Sequence, residues 1–398
     1  MTKRFKWYSG FVHKIETLSA KQIMDSRGNA TIEVTLGTAG GSGIASVPSG
    51  ASVGAHEARV VEPAVAVAQI NTEISMALSG KEFDQKSLDE FLIALDGTPD
   101  RRRLGGNALL GVSLGFARAA AAEQKVELYK YFGNLAGNTA FALPVPMFNV
   151  LNGGKHAKGG IAIQECMLVP AGIDGAGAQV QAAQDCMTAL KVLLEKNGYG
   201  TVMGDEGGYA PALANNDEAL GLLVSAISAA GYDGKIKLAI DVAASSMPTF
   251  DKATMSAWYA DIVKKYPLVS IEDPFTEDDW ESFAALRASA PDVLVVGDDL
   301  TATNAGRITL AAQKNAINAV IIKPNQAGTV SETVAAVAAV RAQGWMGIAS
   351  HRSGETLDTW IADVAVGLGC GYIKAGAPTK PERTAKYDRL IAIEKTLA

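Results

Sequence analysis

Four times between Lys237 and Lys323 an apolar run ends on a charged residue, and this repetition constrains the fold more than anything else in the chain. The runs are Leu238-Ala239-Ile240 into Asp241, Leu268-Val269-Ser270-Ile271 into Glu272, Val293-Leu294-Val295-Val296 into Asp298, and Val320-Ile321-Ile322 into Lys323. Gly347-Ile348-Ala349-Ser350 into His351 and Gly371-Tyr372-Ile373 into Lys374 continue the series. Short runs rich in branched residues read as strands buried on both faces. Successive endings lie roughly 25–30 residues apart, room for a strand, a loop and a covering helix. Parallel strands wound this way close into a barrel and deliver their C-terminal residues to one mouth. Three carboxylates on neighbouring endings make a hard-oxygen site suited to Mg²⁺, and Lys323 on the next ending is within reach of whatever that metal binds. A single acid after a strand ordinarily caps a helix or faces solvent. Six charged endings in regular succession call for a common purpose.

With 398 residues the chain exceeds one compact core, so two domains are expected, a barrel of ~250 residues being the larger. A net charge of -6 argues against nucleic acid or an anionic membrane as the main partner. An anionic substrate must therefore be held by local cations and metal. Cys166, Cys186 and Cys370 lie in apolar contexts without metal-type spacing, which reads as buried reduced thiols in a cytoplasmic protein. No stretch approaches the ~20 apolar residues that span a bilayer. Residues 1–14 mix Lys3, Arg4 and Lys6 with aromatics and lack the apolar run of a secretory signal; they read as an extension.

Residues 15–62 read as β structure: Ile32-Glu33-Val34-Thr35-Leu36 alternates, Gly40-Gly41-Ser42-Gly43 turns, and a strand over 44–47 follows. Pro48-Ser49-Gly50-Ala51-Ser52-Val53-Gly54 is a small-residue loop of the kind that closes over substrates. Helices are predicted over 64–78, 85–95 and 107–132. Strands followed by helices make a small α+β unit over 15–141, and the prolines Pro144 and Pro146 mark the passage to a second unit over 142–398. There, Asn152-Gly153-Gly154-Lys155-His156-Ala157-Lys158 is a loop crowded with glycine and base, and Gln164-Glu165 opens another apolar segment. Helices are predicted over 176–197 and 217–230, with Asp205 and Glu206 set among glycines between them.

From about Ile23 onward these residues carry a recognisable signature. Asp25-Ser26-Arg27-Gly28-Asn29, Ser49-Gly50-Ala51-Ser52, Asn149-Val150-Leu151-Asn152-Gly153-Gly154 and Gly204-Asp205-Glu206-Gly207-Gly208 occur in order. Ser270-Ile271-Glu272-Asp273-Pro274-Phe275, Gly297-Asp298-Asp299-Leu300, Ser350-His351-Arg352-Ser353-Gly354-Glu355-Thr356 and Lys374-Ala375-Gly376-Ala377-Pro378 follow. In these segments the chain resembles the enolases. The resemblance implies an α/β fold: a (β/α)8-type barrel of the enolase kind, opened by an antiparallel turn, beneath a smaller N-terminal α+β lid domain. It implies a hydro-lyase that dehydrates 2-phosphoglycerate to phosphoenolpyruvate with two Mg²⁺ per site, the second arriving with substrate. By the same analogy Asp241, Glu272 and Asp298 match the ligands of the first Mg²⁺, and Ser52 matches a ligand of the second. Lys323 matches the base, and Glu206, with Glu165 beside it, the acid. His156, Gln164, His351, Arg352, Ser353 and Lys374 match substrate contacts. A cytoplasmic homo-oligomer, a dimer or a multiple of dimers, is also implied.

The chemistry asks for such groups. Removing a proton next to a carboxylate builds a second negative charge late in the reaction, which divalent cations stabilise strongly in a dry cavity. Enolase-superfamily sites combine a Lys or His base with one or two Mg²⁺. A lysine near its unperturbed pKa of about 10.4 is a poor base at neutral pH, so Lys374, Arg352 and metal are expected to favour the neutral amine of Lys323. Hydroxide leaves badly, and Glu206 paired with Glu165 can hold the proton that assists it.

The chain departs from the family at several points. Val53 and Ala375 replace threonines, Lys155 and Lys158 make their loop more basic, and surface stretches are missing after Glu62 and shortened after Ser246. Lys21-Gln22 replaces an arginine–glutamate pair of the family's dimer contact. Two further readings therefore stand beside the first: a paralogue of phosphonate metabolism, similar to carboxyphosphonoenolpyruvate synthase, acting on a modified phosphoglycerate; and a non-catalytic binding or structural role.

Overall fold

The computed structural model describes residues 11–50, 54–154, 160–247 and 249–397. Strands β1 (His13–Met24), β2 (Ala30–Thr38), β3 (Ser42–Val47) and β4 (Glu82–Phe83) form an antiparallel sheet in the order β3-β2-β1-β4. The alternation read in β2 points Ile32, Val34 and Leu36 inward, where all three are fully buried. They pack on the helix Gly106–Glu123, and small residues allow the approach: a Cβ on Gly111 would come within 2.6 Å of Val34. Gly41 and Gly43 serve the same contact, because a Cβ on either would collide with the carbonyls of Ala119 and Gly115.

The helix predicted over 107–132 is two helices, Gly106–Glu123 and Leu128–Leu135. Lys125 breaks it by taking a left-handed φ of 56° without the glycine that usually announces such a turn. The segment 64–78 is helical but carries a π-helical stretch, Ile70–Ile74.

Eight strands close the barrel: β5 (Val145–Asn152), β6 (Glu165–Val169), β7 (Lys237–Asp241), β8 (Leu268–Glu272), β9 (Leu294–Gly297), β10 (Ala319–Ile322), β11 (Met346–Ser350) and β12 (Tyr372–Lys374). Only β6 runs against its neighbours, pairing antiparallel with both β5 and β7. Met147, Met167, Ala239, Val296, Ile321 and Ile348 belong to the small cluster that fills the interior, so this is a packed core and not a pore. Among the described residues no α-helix separates β5 from β6. The helix Ala176–Lys196 packs on β5, and the C-terminal helix Pro381–Leu397 sets Tyr387 against Phe148 with ring centroids 4.7 Å apart.

The N-terminal unit is tied to the mouth. Ser49 and Gly354 exchange backbone hydrogen bonds of 2.8 and 2.9 Å, Ser26 N–H donates to the Glu355 carbonyl (2.7 Å), and Ala58 N–H to that of Gln326 (2.9 Å). All three cysteines are free and buried. Among the described residues no helix is long and apolar enough to cross a membrane.

Candidate active site

Strand register assembles the site. Glu165 pairs with Asp241, and Asp241 with Glu272, so three carboxylates stand side by side on β6, β7 and β8. The reversal of β6 matters here, because it brings the strand's first residue to the mouth where its neighbours end. Lys374, at the end of β12, reaches across to all three: its Nζ lies 3.2 Å from Glu165, 3.0 Å from Asp241 and 2.8 Å from Glu272. Lys323, just past β10, is ion-paired with Asp298, whose other oxygen accepts from Gln326 Nε2 at 2.9 Å.

After β8 the chain turns left-handed at Asp273, φ 40°. The buried Asp273 carboxylate then accepts from the backbone N–H groups of Asp298 (2.9 Å) and Asp299 (2.8 Å), which fixes the end of β9. Opposite, Arg352 donates to Glu57 through Nη1 (2.9 Å) and Nη2 (3.3 Å) and to Asn325 at 3.0 Å. Glu57 also accepts from Gly54 N–H at 3.0 Å, so this carboxylate from the N-terminal unit joins its own loop to the barrel. Glu206 lies 3.3 Å from His351 Nε2 and accepts from Asn149 Nδ2 at 2.9 Å. Gln164 N–H donates to the Asp241 carbonyl at 2.9 Å.

Most of these groups line one cleft, together with Ser353; Glu272, Asn149, Asn325 and Gln326 are not part of its lining. Of the sequence-predicted residues, Asp241, Glu272, Asp298, Lys323, Lys374, Glu165, Glu206, Gln164, His351, Arg352 and Ser353 thus come together at one mouth. Ser52 and His156 lie outside the described residues. Glu57, Asn149, Asp273, Asp299, Asn325 and Gln326 are site residues that sequence reasoning missed. Asp273 and Asp299 each follow a predicted ligand directly, which was the available signal.

The electrostatics are those of negative charge in excess. Seven acidic side chains line the cleft against two lysines and one arginine. Burial, then Glu206, pushes Glu165 well above the usual carboxylate range. Burial, then Asp241, does the same to Glu272, and burial with Asp298 raises Asp299 to about 7. Burial would raise Asp298 too, but the Lys323 ammonium outweighs it and holds that carboxyl low. For Lys323 the sequence expectation is corrected: burial, Arg352 and Lys374 favour the neutral amine, yet Asp298 prevails and the ammonium is held above its ordinary range. Lys374 is likewise raised by Asp241, Glu165 and Glu272 against burial.

Buried carboxylates in surplus, offering only oxygen, fit a hard divalent cation such as Mg²⁺. Among the described residues, the three acids whose oxygens all lie within 4.8 Å of one another are Asp273, Asp298 and Asp299. Asp241 and Glu272 are instead bridged through Lys374.

Two family descriptions match the chain: the N-terminal enolase domain over residues 15–132, and the C-terminal enolase TIM-barrel domain over residues 140–398. The chain is also 44% identical over 420 aligned residues to Enolase 1 of Entamoeba histolytica, covering 96% of each protein. With both domains matched and the acid-lined mouth in place, the chain belongs to the enolase family and is a hydro-lyase, a phosphopyruvate hydratase.

Proposed function

We propose that this chain carries out the reversible dehydration of 2-phosphoglycerate to phosphoenolpyruvate, as in glycolysis, with Lys323 as base and Glu206 as acid. The observation that carries this reading is the placement of the Lys323 amine against Asp298, beside the in-register carboxylates Glu165, Asp241 and Glu272. Asp241, Glu272 and Asp298 are proposed to hold one Mg²⁺, and Ser52 to contribute to a second that arrives with substrate. Bound there, Mg²⁺ offsets the charge that builds on the substrate carboxylate and competes with the lysines for the acids.

The rest is done by this chain's own groups. Lys323 Nζ takes the proton from the α-carbon. The hydroxyl on the neighbouring carbon leaves with a proton from Glu206, as water. Glu165, whose carboxyl is pushed well above the usual range by burial and then by Glu206, supports a shared proton at that position. Arg352, which lines the cleft while Glu57 and Asn325 hold its guanidinium, is assigned to phosphate recognition, with His351, Ser353 and Gln164 lining the same cleft. Lys374 and His156 are assigned to substrate as well. We read 15–141 as the lid-bearing domain, 142–398 as the barrel and 1–14 as an extension, in a cytoplasmic homo-oligomer.

The test is enol-product absorbance on mixing with 2-phosphoglycerate and Mg²⁺. Turnover is expected and should vanish in Lys323→Ala. Glu206→Gln should still exchange the substrate α-proton with solvent while losing dehydration; loss of both would refute its assignment.

A further inference from the structure

Arg383, in the helix Pro381–Leu397, has no exposed surface. Its Nη1 donates to the Arg352 carbonyl at 2.7 Å and its Nη2 to the Ser353 carbonyl at 2.6 Å. Among the described residues its ion-pair contact is the adjacent Glu382, 3.6 Å from Nε. A guanidinium buried largely against carbonyls is costly, and a second contact gives it a purpose: Nη1 lies 2.6 Å from Nδ1 of His351.

A guanidinium has donors and no acceptor. Nδ1 must therefore present its lone pair, and a ring turned by half a revolution would set a carbon there instead. The proton of the neutral imidazole is left on Nε2, which faces Glu206 Oε2 at 3.3 Å. That same oxygen accepts from Asn149 Nδ2 at 2.9 Å. Asn149 thus holds Oε2, and the Nε2–H of His351 lies beside the same oxygen. Burial pushes the imidazole down to about 3; Glu206 opposes this and Arg383 assists it, so the ring stays neutral. Gly376 (φ +85°) shows how closely the parts are fitted, since a Cβ there would lie 2.8 Å from the Glu206 carbonyl and 2.9 Å from Arg383 Cδ.

We propose that Arg383 is a positioning residue that selects the Nε2–H tautomer of His351, so that an N–H and not a lone pair is presented to the Glu206 carboxyl. The proposal rests on reading Glu206 as the acid. Glu206 gives its proton to the departing hydroxyl, water forms, and the carboxylate left behind has that N–H beside it.

The test uses full-length protein labelled with ¹⁵N-histidine, whose four histidines keep the spectrum simple; His351→Asn assigns the signal. His351 should show a protonated Nε2 and an unprotonated Nδ1. Arg383→Lys still only donates and should keep that tautomer, with dehydration within about threefold of wild type. Arg383→Gln offers an amide oxygen that accepts from Nδ1–H, so both tautomers should be populated. Dehydration should then fall at least about tenfold, part of the 10²–10⁴ that a positioned acid supplies, with α-proton exchange nearly unchanged. A wild-type proton on Nδ1 overturns the proposal even if Arg383→Gln does not fold. So does Arg383→Gln with a mixed tautomer but undiminished dehydration. Glu206→Gln is the separate control: loss of both exchange and dehydration there refutes the acid assignment and leaves the tautomer result standing.

Discussion

Glu57→Gln removes the carboxylate that Arg352 faces and keeps nearly the same shape. Both partners are 6% exposed, and the two hydrogen bonds between them, 2.9 and 3.3 Å, are charge-assisted. Breaking a buried pair by removing one charge costs about 3–5 kcal/mol, because the other charge stays behind. Gln retains one acceptor for Arg352 or for Gly54 N–H but not the charge, and Asn325 still accepts from the guanidinium. We therefore expect the lower end, about 3 kcal/mol, or about 4 °C in melting temperature for a chain of this size. Saturating inorganic phosphate supplies a replacement counter-charge, so it should raise the melting temperature of Glu57→Gln more than that of wild type. Thermal melts with and without phosphate read both effects. A variant melting within about 1 °C of wild type, or one stabilised by phosphate no more than wild type, would refute the role given to this pair.

Two other changes probe regions outside the reacting groups. Burial pushes Asp89 up to about 6, against hydrogen bonds from Ser113, Ser331 and Gln85. Its folded pKa lies above the unfolded value, so stability present below about pH 3.8 is lost as pH rises through about 6, amounting to about 3 kcal/mol. Asp89→Asn should accordingly be the more stable protein in denaturant at about pH 7.5 and not at about pH 4; an equal difference at both would sink the argument. Gly376→Ala meets both a positive φ and the contacts to Glu206 and Arg383, and should lose about 3 kcal/mol or more in the same assay.

Much of the site was legible because a polar residue closing an apolar run has one destination in a parallel barrel. Asp241, Glu272, Asp298, Lys323, His351 and Lys374 could be placed at one mouth on that ground alone. Glu165 could not, since it begins its strand, and only the resemblance placed it beside Glu206. Glu57 and Arg383 were missed for a different reason: Glu57 acts on Arg352, 295 positions away in another unit, and Arg383 acts on His351 from the C-terminal helix, 32 positions on, and spacing encodes neither pair. The direction of the Lys323 shift was misread because the nearest acid outweighs burial and two more distant cations. The break at Lys125 escaped because a lysine there takes a backbone conformation that composition does not advertise.

The contact between β5 and the C-terminal helix has a consequence for how the molecule assembles. The β5–β6 pair can form early from neighbouring residues, but Phe148 meets Tyr387 only when the far end of the barrel sequence arrives. Contacts between such distant segments form slowly, because a large loop must close before anything is gained. The helix bearing Tyr387 also bears Arg383, so the docking event that makes this ring contact is the one that completes the surroundings of His351. Cooperativity between folding and chemistry is thereby built into a single late step.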